Sequence, residues 1–121
     1  MLLVLNGLLL GVAVGYIGAF VIAPRELTID QLTFEDLARI FGADSAVTNT
    51  RWGDFGAEGK WGSNPVTAHV TTPAEGLAYE IFRHRVLPTP KFKVLVKEYD
   101  SVEEARNAMM KDDAGIAVVP W

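Results

Sequence analysis

The sequence has no cysteine. That absence excludes a disulfide framework, a CxxC redox centre and any zinc or iron–sulfur site built on thiolates. It leaves the compartment open. Histidine is scarce: His69 and His84 stand alone, and neither belongs to an HExxH or similar acid-rich spacing. The phosphate-cradling motifs GxGxxG and GxxxxGK[ST] are also missing. Charge is absent from the first 24 residues; all 11 Lys and Arg and all 15 Asp and Glu lie from Arg25 onward. The resulting net charge of -4 argues against a nucleic-acid reader, which needs a basic face.

What the first segment does contain is a long apolar run, MLLVLNGLLLGVAVGYIGAFVIA, residues 1–23. As a helix it would measure about 34 Å, enough to cross a hydrocarbon core of about 30 Å. The run therefore predicts a single transmembrane helix. A cleaved signal peptide is the rival reading. The basic n-region is missing, however, and Pro24 would follow the scissile bond at Ala23. Gly7, Gly11, Gly15 and Gly18 would line one face of such a helix and allow close packing against a neighbouring helix. Arg25 and Arg39, on the C-terminal side only, favour a cytoplasmic C-terminal domain.

Residues 24–65 read as a linker holding one short helix and one unusual loop. Thr33-Phe34-Glu35-Asp36 has the form of a capping box, and Phe34, Leu37, Ala38 and Phe41 then recur at helical spacing. A helix over 34–41 is predicted. The stretch LTFEDLARIFGADSAV loosely resembles the opening of a bacterial helix-turn-helix in the spacing of Ala38 and Gly42. The segment that would be its recognition helix, Asn49–Gly53, breaks into glycine-rich loop, so DNA binding is not expected. In RWGDFGAEGKWGSNP, residues 51–65, a glycine falls every third position among Trp52, Phe55 and Trp61. Three readings stay open there. The rings plug a small core, or Arg51, Trp52, Phe55 and Trp61 form a partner-contact surface of the kind rich in Trp and Arg, or the rings anchor at lipid headgroups.

From about residue 66 the pattern becomes regular. A strand is predicted at 66–71 and a helix at 73–86, opened by Thr72-Pro73-Ala74-Glu75. A strand at 92–97, a helix from Ser101 to about 112 and a strand at 116–119 follow. The fold class is therefore α/β: a transmembrane helix at 1–23, a linker with a Gly/Trp-rich loop at 24–65, and a small β-α-β-α-β domain at 66–121. The segment 94–119, a capped helix rich in Glu and Ala followed by a strand ending in Val-Pro, is similar to the strand–helix–strand units of periplasmic solute-binding proteins. It carries no ligand residue, so the resemblance implies a local fold and no activity.

No catalytic constellation is present. The adjacent acid pairs 35–36, 103–104 and 112–113 sit at helix starts or in a turn, and neighbours on a helix do not face each other. Between Ile81 and Lys97 the charged residues are all basic: Arg83, Arg85, Lys91, Lys93 and Lys97. Such a face suits anionic lipid or an acidic partner, or simply guards a strand edge. The expectation is a non-catalytic, cofactor-free, single-pass membrane protein. It would serve as an accessory subunit of a larger membrane complex, photosynthetic or respiratory, contacting other transmembrane subunits and lipid but no nucleic acid. The alternative is a membrane-tethered module that binds a ligand or peptide.

Overall fold

The structure, a computed structural model, describes residues 2–5, 9–14, 17–23, 29, 32–43, 50–111 and 115–120. It is a small α/β domain built on a mixed four-strand sheet and three helices. In spatial order the four strands are β3 (Ile17–Ile22), β6 (Gly115–Pro120), β4 (Thr67–Thr71) and β5 (Lys97–Tyr99). β6 runs parallel to β4 and antiparallel to β3, and β4 runs parallel to β5. Beyond β3, the strands β2 (Leu9–Val14) and β1 (Leu2–Leu5) continue the sheet in antiparallel register.

The apolar N-terminal run thus does not form the predicted helix. Its described residues fold as β1, β2 and β3, and among the described residues no helix is long and apolar enough to cross a membrane. The helical stripe expected of Gly7, Gly11, Gly15 and Gly18 is likewise not formed. Gly11 and Gly18 lie in β2 and β3, and Gly7 and Gly15 fall outside the described residues. The physical reason is visible at β3. A strand covered on both faces is apolar at every position, so it loses the alternation that would reveal it. Ala19 and Val21 enter the main core, while Ile22 packs against a second cluster.

β6 shows the same two-sided burial. Ile116 and Val118 face the main core with Val70, while Ala117 and Val119 meet Ala105 and Met109 on the opposite face. Two helices accordingly flank the sheet. α2 (Ala78–Arg85) closes the main core through Ala78 and Phe82, and α3 (Val102–Lys111) covers the other face. α1 (Phe34–Phe41) starts at the expected capping box: Thr33 Oγ1 accepts from Asp36 N at 3.1 Å, and Asp36 Oδ2 accepts from Thr33 N at 3.0 Å. Its Leu37, Ile40 and Phe41 are buried in the main core. There Phe41 meets the Phe82 ring edge-on at 5.0 Å and the Phe92 ring at 6.3 Å. Such contacts add about 0.5–1.5 kcal/mol each beyond area burial. Residues read as a linker are thus part of the core: Ile29, Leu32, Leu37, Ile40, Phe41, Trp52 and Ala57 pack with Val70 and Val118.

Two boundaries differ from expectation. Residues 92–96 form no strand; Phe92 makes one bridge to Gly42, a turn follows at 94–95, and β5 is only the three residues Lys97–Tyr99. The predicted helix at 73–86 is broken into a 3₁₀ turn, Pro73–Glu75, and α2.

Candidate functional site

β4, β5 and β6 are parallel, so their carboxyl ends meet at one edge of the sheet. In open α/β sheets that edge is where ligands bind. Three chain segments converge there. After β4, Thr72 N donates to Tyr99 O at 2.8 Å, and Thr72 Oγ1 donates to Asp100 Oδ1 at 2.9 Å, joining the ends of β4 and β5. Thr72 was expected to cap the helix behind it. Its hydroxyl is instead committed to Asp100, and the 3₁₀ turn has no side-chain cap.

Gly76 follows, with φ 151° and ψ -168°. This conformation is essentially restricted to glycine. A Cβ added there would also lie 3.1 Å from Pro120 Cβ, so Gly76 stands directly beside the end of β6. α2 then begins at Leu77, an apolar N-cap residue that makes no capping hydrogen bond. The contrast is with α1, capped by Thr33, and α3, where Ser101 Oγ accepts from Glu104 N at 3.1 Å. A helix start without a side-chain cap leaves amide donors for another acceptor, and the helix dipole favours an anion there.

The glycine and tryptophan loop is ordered by its own backbone. Two 3₁₀ turns, Trp52–Phe55 and Gly59–Ser63, lie face to face, tied by Trp52 N to Asn64 O at 3.0 Å and Arg51 Nη1 to Ser63 O at 2.6 Å. Gly53 is needed for this approach, since a Cβ there would sit 2.7 Å from Gly62 O. Of the four residues expected as a partner surface, Trp52 is fully buried and closes the core. Phe55 and Trp61 are half-buried, and Arg51 is exposed.

The basic residues are also sorted by the fold. Arg83 pairs with Glu80 at 2.8 Å and lies over the Tyr79 ring, 5.6 Å from its centroid. Lys93 turns inward and donates through Nζ to Arg39 O; burial, and secondarily the Arg39 charge, hold its pKa below the usual lysine value. Arg85, Lys91 and Lys97 are exposed, and Lys97 lies on the edge strand β5. An open groove of about 380 Å³ runs between α1 and Pro88–Thr89, lined by Glu35, Asp36 and Arg39. Asp36 is already committed to the capping box.

His69, nearly fully buried, lies with Nδ1 3.0 Å from the Tyr99 hydroxyl and joins β4 to β5 on the α3 face. Tyr79 has its pKa raised, by burial first and by Glu98 second. The folded state therefore holds this proton more tightly than the unfolded chain. The associated stability is fully present below pH 10.0 and is lost as pH rises through the folded value. Tyr79→Phe is expected to flatten the alkaline limb of a stability–pH curve followed by circular dichroism; a variant as alkali-sensitive as the parent contradicts the assignment.

No protein-family model and no curated protein matches the chain. Among solved structures it is similar to a protein from Planctomyces limnophilus described as a possible phosphate binding protein, with 17% identity and a TM-score of 0.66. The similarity covers 87% of this chain and 36% of that one, so the chain spans little more than a third of its neighbour's length. At this identity the likeness shows the fold alone. The site at residues 72–77 carries no motif, and the only sequence signal for it is Thr72-Pro73 followed by Gly76.

Proposed function

We propose that this chain is a non-catalytic solute-binding module whose ligand is a small oxyanion held at the carboxyl edge of the sheet. The observation that carries the reading is the start of α2: an uncapped helix N-terminus, preceded by Gly76 in a glycine-only conformation, where the ends of β4, β5 and β6 converge. Strained glycines of this kind gather at ligand clamps. A helix N-terminus supplies amide donors and a favourable dipole to an anion. The fold likeness to a protein described as a possible phosphate binding protein supports the same class of ligand. Asp100 beside Thr72 can only accept hydrogen bonds when ionised, which favours a protonated oxyanion over one without a proton. The membrane-subunit expectation rested on a helix that the described residues of 2–22 do not form.

Phosphate is expected to raise the unfolding temperature with the logarithmic concentration dependence of specific binding. At ten times Kd the gain is about 1.4 kcal/mol, roughly 5 °C for a domain of this size. Gly76→Ala is expected to abolish the logarithmic part. A rise that is linear in phosphate, and matched by sulfate at equal ionic strength, is a cosolute effect and overturns the reading.

A further inference from the structure

We propose that the turn between α2 and β5, residues 91–97, is a membrane-contact tip that seats on anionic phospholipid. Val94 and Leu95 are exposed apolar residues at this turn, 97% and 67% exposed. Their neighbours point the other way: Phe92 and Val96 are buried in the main core. The turn is therefore anchored at both roots. Lys93 N donates to Phe41 O at 2.8 Å and Val96 N donates to Lys93 O at 3.1 Å, so the apolar pair is presented on fixed backbone.

Exposed basic residues flank it along the chain. Arg85, Lys91 and Lys97 are exposed, and none has an ion pair among the described residues. The nearest acids in sequence are Glu80, which is taken up by Arg83 and His84, and Glu98, which follows Lys97 on β5. Exposed apolar side chains flanked by cations match the two layers of an anionic bilayer surface: hydrocarbon for Val94 and Leu95, headgroup phosphates and carboxylates for the basic residues. The chain as a whole is acidic, at -4, so attraction to an anionic surface depends on a local concentration of cations such as this one. The tip precedes β5, while residues 72–77 follow β4. It therefore lies at the amino edge of the sheet, opposite the edge proposed for the oxyanion, and contact there leaves that edge open.

The absence of cysteine makes the test direct. Leu95→Cys and, at the opposite edge, Leu77→Cys are each labelled with an environment-sensitive fluorophore and mixed with vesicles of 30% phosphatidylserine in phosphatidylcholine. The probe at 95 is expected to shift to the blue while the probe at 77 does not, and pure phosphatidylcholine is expected to leave both unchanged. Adding Lys91→Gln and Lys97→Gln to the labelled chain is expected to weaken partitioning about 25-fold, from roughly fivefold per basic residue. Sedimentation of unlabelled chain, with Val94→Ser and Leu95→Ser as the comparison, checks that the fluorophore does not drive insertion. A probe at 95 that stays in water overturns the proposal and leaves the patch to an acidic protein. Equal shifts at 77 and 95, or partitioning indifferent to the lysines, overturn it as well.

Discussion

Val21→Asp is expected to unfold the domain outright. Val21 has no exposed surface, pairs with Val118 across the β3–β6 ladder and belongs to the core that α2 closes. A carboxylate there loses its hydration and gains no cation; even after protonation it leaves a buried polar group. Losses above about 4 kcal/mol are typical of this class of substitution, against total stabilities of about 5–15 kcal/mol for domains. The measurement is the near-ultraviolet circular dichroism signal and the denaturant midpoint, with Val94→Asp as control. Val94 is 97% exposed, and its substitution is expected to shift stability by no more than about 0.5 kcal/mol. The comparison also separates two views of the N-terminal segment. Were residues 1–23 a helix apart from the domain, a charge at 21 would leave the unfolding of the rest unchanged. A native-like transition in Val21→Asp would therefore sink the sheet assignment of β3.

The second large effect is expected at Trp52. Its side chain is fully buried, it meets the Phe55 ring edge-on at 6.4 Å, and it lies where the two 3₁₀ turns join the core. Removing a buried indole leaves a cavity that the short, hydrogen-bonded loop cannot refill, at a cost of about 3–5 kcal/mol. Trp52→Ala is expected to lower the unfolding free energy, measured by denaturant titration, by that amount, with Trp61→Ala, half-buried, costing clearly less. Equal and small losses at both positions, together with lost binding to some partner, would restore Trp52 to a contact surface.

An element is legible in the sequence where its signal is short-range. The capping box at Thr33 is formed by two hydrogen bonds within four residues, so α1 is legible without its neighbours. α3 is legible for the same reason, through Ser101 and Glu104. Thr72 shows the limit of that logic. Its sequence context is that of a cap, yet its hydroxyl bonds Asp100, 28 positions away, because β4 and β5 are adjacent. Residues 92–96 carry the apolar pattern of a strand, yet they are the two buried roots of a turn and its exposed tip.

The N-terminal segment carries the larger lesson. Uniform apolarity says that a segment avoids water, and it does not say whether lipid or protein covers it. A helix needs only its own backbone, whereas β3 needs β6, more than ninety residues away, to satisfy its hydrogen bonds. Composition and periodicity were enough to establish the α/β class, to place α1 and α3 by their caps and to exclude thiolate chemistry. Tertiary structure alone decided that the apolar run joins the sheet as strands, that Trp52 belongs to the core, and that Gly76 and the uncapped start of α2 meet the ends of three strands at one edge. The reason is the same in each case: these features depend on partners distant in the chain, and local propensity carries no information about who those partners are.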